Sequence, residues 1–164
     1  MNTSILAIVL ASALLTPSWY SDYGQAQQQS AQQKKPLVVL FGAGTNGWTK
    51  VVRAESPSAE VKKILANDYV CVFVDTDSPA GKKLAQTFDV TAATGMVISD
   101  RAGTTQAFWH QGDMTNANVA HYLQKYADPK VVVEGTETTN PVRTSYYPPA
   151  TQSAPRSLFS SGSC

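Results

Sequence analysis

The chain alternates between short apolar runs and amphipathic stretches. Leu37–Phe41 (LVVLF) is continuously apolar, the pattern of a strand buried on both faces. A helix is expected to open near Gly47 and run to about Ala54. Ser56-Pro57 then restarts a helix, with Ser56 as N-cap and Pro57 in the first turn. Val61, Ile64 and Leu65 form its inward stripe. Tyr69–Val74 (YVCVFV) is a second buried strand. Ser78-Pro79 opens another helix in the same way and turns Leu84, Ala85 and Phe88 inward. Gly95–Ser99 is a third strand, Asp100–Gly103 is turn chemistry, and Thr105–Trp109 pairs back antiparallel. Thr115 or Asp113 caps a last helix, in which Val119, Tyr122, Leu123 and Tyr126 share one face.

This order defines an α/β fold: a central mixed sheet of about four strands flanked by helices. Right-handed crossovers make the first strands parallel, and the last two form an antiparallel hairpin.

The ends of the chain read differently. Ile5–Leu15 is an eleven-residue apolar run, short of the ~20 residues that a membrane-spanning helix needs. It fits the apolar region of a secretory signal, although MNTS carries no Lys or Arg. Cleavage is expected after Ala26, with Ala13 as the second choice. That places the mature chain in a periplasmic or extracellular compartment, with no stable membrane span after cleavage. Residues 27–33 are Gln-rich and read as a disordered spacer, residues 34–129 as the folded domain, and residues 130–164 as a Pro/Ser/Thr-rich disordered tail.

Composition narrows the function. Lys+Arg number 13 against 12 Asp+Glu, so no basic field calls for nucleic acid. His110 and His121 have no second ligand at metal spacing, so no metal is expected. The chain has two cysteines, Cys71 within an apolar strand and Cys164 as the last residue. In an oxidising compartment Cys164 could form an intermolecular disulfide, whereas Cys71 reads as a small hydrophobe.

The stretch GAGTNGWT at 42–49 is open to two readings. Gly42-x-Gly44-x-x-Gly47 follows a strand and opens a helix, as a dinucleotide-binding turn requires, and the next strand ends in Asp75. Against it, Gly47 and Asp75 stand 28 residues apart, more than the usual interval of about 20. Trp48 is bulky where helix and strand should pack closely. The hairpin after Gly95 also interrupts the parallel continuation of a doubly wound sheet.

The second reading covers nearly the whole folded region. KPLVVLFGAGTNGWTKVV resembles the active-site strand and helix of the thioredoxin superfamily, with Lys50 at its basic position. ILANDYVCVFVDTDSPAGKKLAQTFDV is similar to that superfamily's second strand and following helix, and MVISDRAG to its third strand and hairpin. The spacing from Thr49 to Ser56-Pro57 is closest to the exported branch. The resemblance implies a thiolate at the helix N-terminus and a second, resolving cysteine. Those positions hold Asn46 and Thr49, and no cysteine occurs before Cys71. The resemblance also implies a buried acid on the preceding strand, where Leu40 stands, and a cis-proline before the third strand, where Thr94 stands.

These departures imply a redox-inactive binding or scaffold module without a cofactor. Its binding surface is expected around Asn46, Gly47, Trp48, Thr49, Thr94 and Gly95, and its partner is a protein or peptide. Tyr146-Tyr147-Pro148-Pro149 has the composition of a short extended recognition element. The rival readings are a redox protein using Cys71 or Cys164 singly, and a dinucleotide-binding enzyme.

Overall fold

Strands β2 (Leu37–Gly42) and β3 (Val70–Asp75) pair in parallel, from Leu37 opposite Val70 to Gly42 opposite Asp75. They form the centre of a computed structural model that describes residues 16–44, 52 and 56–140. Strand β4 (Gly95–Ser99) runs antiparallel to β2, with Phe41 opposite Gly95, and β5 (Gln106–Gln111) runs antiparallel to β4. Two short strands, β1 (Trp19–Tyr20) and β6 (Glu137–Thr138), add in parallel to β3 and β5. The described sheet therefore has six strands in the order β1-β3-β2-β4-β5-β6, where the sequence pattern gave about four. The two additions are two-residue edge strands, too short to leave a periodic signal.

Strand alternation sorts the core into two layers. Val38, Leu40, Cys71, Met96, Ile98 and Phe108 face one side. There they meet Val61 and Leu65 of α2 (Ala59–Asp68) and Val119, Leu123 and Tyr126 of α4 (Asn116–Ala127). Leu37, Val39, Phe41, Val70, Val72, Val97 and Trp109 face the other. They pack against Ala26 of α1 (Tyr23–Gln33), Ala85 of α3 (Pro79–Thr87) and Phe88. β2 and β4 are buried along their whole length and β3 along most of its own, which is why their sequences are nearly continuously apolar.

The expected caps hold at two of three helices. The Ser78 hydroxyl accepts the Gly81 N–H, with Pro79 in the first turn, and Thr115 Oγ1 accepts the Asn118 N–H. At α2 the cap is Ser58 rather than Ser56. The Ser58 hydroxyl accepts the Val61 N–H at 3.2 Å, and Pro57 lies outside the helix.

Two further expectations are corrected. Residues 27–33 are the body of α1, not a disordered spacer. Asp22 caps this helix through the Gln25 N–H, and Ala26 and Ser30 are buried against the sheet. The helix is stable despite its glutamines because only one narrow stripe, Tyr23, Ala26 and Ser30, has to pack. A cut after Ala26 would divide α1 through its buried face; the alternative after Ala13 lies outside the described residues. The domain also continues past residue 129. Residues 131–140 run along α4 and place β6 against β5. Glu137 is held there by Lys125 Nζ at 2.6 Å and by the Tyr126 hydroxyl at 2.5 Å. Residues 141–164 of the expected tail lie outside the described residues.

Candidate functional site at one end of the sheet

Strand directions bring five segments to one end of the sheet. The parallel strands β2 and β3 finish there, β4 begins there, and β5 and β6 finish there. Gly42–Gly44, Asp75–Ser78, Thr94–Gly95, Gln111–Met114 and Asn140 thus converge. Val52 bridges Met114 at this end.

Asp75 organises the first two segments. Its Oδ1 accepts the Gly44 N–H at 2.8 Å and the Asp77 N–H at 3.0 Å. The Thr76 N–H donates to the Gly42 carbonyl at 2.9 Å. The Ser78 hydroxyl donates to the Asp75 carbonyl while accepting from Gly81. Gly44 takes φ = 76°, the left-handed region where a Cβ is costly. A Cβ on Gly81 would lie 1.9 Å from the Asp75 carbonyl oxygen, so the first turn of α3 sits directly against the end of β3. The acid that a dinucleotide site would turn toward a ribose thus braces the loop itself.

The second pair of segments is equally close. The Thr94 carbonyl accepts the Gly112 N–H at 2.9 Å, and Thr94 is half-buried. A Cβ on Gly95 would meet Val90 Cγ1 at 2.9 Å and the His110 carbonyl at 3.0 Å. Gln111 Oε1 accepts both the backbone N–H and the hydroxyl of Thr91, at 2.9 and 3.0 Å. The backbone of Gln111 is paired with the Asn140 side chain: its N–H donates to Asn140 Oδ1 at 2.9 Å, and its carbonyl accepts from Nδ2 at 3.1 Å. Asn140 therefore continues the pairing of β6 with a side-chain amide.

Between α3 and the segment 90–93 lies an open cleft of 510 Å³. Ala43, Ala85, Val90 and Ala92 give it a floor of small apolar groups, while Asp77 and Lys82 stand at its rim. Small floor residues leave room for larger side chains of a ligand.

Leu40 is buried opposite Phe73 and Met96, so the position where the resemblance implies an acid is wholly apolar. Cys71 is 1% exposed, and its thiol donates to the Leu65 carbonyl of α2 at 3.6 Å. Burial pushes the Cys71 thiol up to about 12, with only a small opposing effect from Lys35. It can supply neither a thiolate nor an accessible sulfur at neutral pH. The His110 ring lies in contact with Thr139 Oγ1 and the Asp113 carbonyl. His121 is exposed on α4, stacked edge-on against Tyr122.

Of the residues singled out in the sequence, Thr94, Gly95, Gly42 and Gly44 meet at this end. Leu40 lies below it in the core. Asn46, Gly47, Trp48, Thr49 and Cys164 are outside the described residues. Thr91, Gln111 and Asn140 carry no sequence signal, because their bonds join residues far apart in the chain.

No family model matches this sequence, and no curated protein matches it. Solved structures do. A thioredoxin from Thermus thermophilus superposes with a TM-score of 0.53 at 21% identity, over 66% of this chain and 85% of that one. A protein described as DsbH oxidoreductase superposes with a TM-score of 0.52 at 19% identity, over 76% of this chain and 92% of that one. With the strand order above, these matches define a thioredoxin-like fold.

Proposed function

We propose that this chain is an exported thioredoxin-like binding module without dithiol chemistry, which holds an extended segment of a protein or peptide partner at the shared end of its sheet. The observation that carries this reading is the contrast between an intact sheet end and the place of the thiol. Next to Thr94 in the chain, Ala93 lines the 510 Å³ cleft, whose floor is small and apolar, whereas Cys71 is sealed beneath α2. Asn46 and Thr49 offer a carboxamide and a hydroxyl, neither of which exchanges with a disulfide. Trp48 belongs to the same proposed surface, since the segment follows Gly44 directly in the chain. An aromatic anchor suits a binding hot spot.

Export rests on the apolar Ile5–Leu15 run. Among the described residues, no helix is long and apolar enough to cross a membrane.

The test is selection of phage-displayed peptides on the immobilised full-length chain, followed by titration of the selected peptides. Ala93 is exposed on the cleft wall. Ala93→Arg should remove binding without changing the unfolding midpoint. Trp48→Ala should weaken it by about 2 kcal/mol, the usual hot-spot threshold. Selected peptides that bind Ala93→Arg as well as wild type would place the binding surface elsewhere.

A further inference from the structure

The cleft that the proposed function assigns to a partner lies beside the point where the chain leaves β6. Asn140 is fixed to the backbone of Gln111, and the side chain of that same Gln111 holds Thr91 on the cleft wall. One residue therefore separates the chain's exit from the cleft. Residues 141–164 continue from there, beginning PVRTSYYPPA. Fully extended, the five residues Pro141–Ser145 span at most about 16 Å at about 3.3 Å per residue, a reach to be set against the single residue, Gln111, that bridges Asn140 to the cleft wall.

The chemistry of the two surfaces is complementary. The floor is built from Ala43, Ala85, Val90 and Ala92, which leaves space for aromatic rings. Residues 141–164 carry two arginines, Arg143 and Arg156, and no acid. Asp77 at the rim can pair with Arg143, and Lys82 can lie over a tyrosine ring. Pro148-Pro149 favours an extended backbone that loses little entropy on docking.

We infer that the cleft is occupied by the chain's own segment Tyr146–Pro149, which acts as a built-in competitor for the partner. The inference rests on the proposed binding function and adds its regulation. A tethered segment acts at an effective concentration of the order of millimolar, so it masks the cleft from weak ligands and yields to strong ones.

The experiment uses the isotopically labelled full-length chain and its Tyr146→Ala/Tyr147→Ala variant. The variant should shift the amide resonances of Thr91, Ala92, Ala93 and Lys82–Gln86, and leave those of α4 unmoved. A synthetic peptide of residues 141–152, added to the variant, should restore the wild-type positions. Phage-selected peptides should bind the variant about tenfold more tightly than wild type, the effect of removing a tethered competitor. Unmoved cleft resonances would overturn the inference, as would shifts that disappear on dilution, because those report the tail of a second copy. If foreign peptides still bind a cleft that the variant leaves unmoved, self-docking fails and the binding function stands. If the variant moves the cleft resonances but no foreign peptide binds either protein, the partner assignment fails and self-docking stands.

Discussion

Asp75 and Gly44 lie 31 residues apart in the chain and are joined at 2.8 Å, carboxylate to backbone N–H. The bond fixes the glycine turn against the end of β3. Hydrogen bonds to a charged acceptor contribute about 1.5–3 kcal/mol each, and this oxygen receives a second one from Asp77. Asp75→Ala should therefore lower stability by about 2 kcal/mol in urea unfolding, and Asp75→Asn by less. An unchanged midpoint combined with altered NAD binding would favour the dinucleotide reading instead.

Gly81 faces a tighter constraint than any turn imposes. A methyl group there would penetrate the Asp75 carbonyl oxygen at 1.9 Å, and backbone cannot rotate away as a side chain can. Although alanine favours helices, Gly81→Ala should cost about 3 kcal/mol, the upper part of the range for overpacking. A stabilised variant would mean that the packing of α3 on β3 is looser than described.

Much of this architecture is legible in the sequence. β2 and β4 are visible as apolar runs because both faces of each are covered, and Ser78 and Thr115 declare their helices through capping chemistry. α1 is hidden, since Tyr23, Ala26 and Ser30 give too little apolar signal among glutamines. The Asp75 carboxylate is visible as a candidate but open to the wrong role, because its partner is a backbone group fixed by tertiary structure. The Gln111–Asn140 ladder leaves no sequence trace, as it depends on β6 reaching β5.

Cys71 should resist alkylation in the native state. Its thiol is buried and pushed up to about 12 from an ordinary 9.0. Iodoacetamide followed by peptide mass mapping should modify Cys71 only in denaturant. The raised value also sets a pH dependence. Its contribution to stability is complete below pH 9.0 and falls as pH rises toward 12, because the unfolded chain loses the proton first. Native labelling at pH 8 would restore the single-cysteine redox reading.

The strap of residues 131–140 should loosen in acid in two stages. Burial holds His110 below its ordinary 6.5, against smaller effects of Asp113 and Gly112. Its neutral form favours the folded strap, so that contribution is complete above pH 6.5 and is lost as pH falls through the depressed value. Burial opposes ionisation of Glu137, but the hydrogen bonds from Lys125 and Tyr126 outweigh it and hold the carboxyl below 4.5. That contribution is complete above pH 4.5 and is lost below it. Amide-exchange protection of Gln111 and Asn140 should fall in two steps, and Glu137→Gln should remove the lower one. A single step shared with global unfolding would contradict this.

The proposed absence of dithiol chemistry is tested most directly by reduction of insulin disulfides with dithiothreitol. Purified full-length protein should leave the rate at its protein-free value, since Asn46 and Thr49 stand where the thioredoxin resemblance implies cysteines and Cys71 is buried. Turnover above that rate, persisting in the Cys71→Ala/Cys164→Ala double variant, would contradict the account.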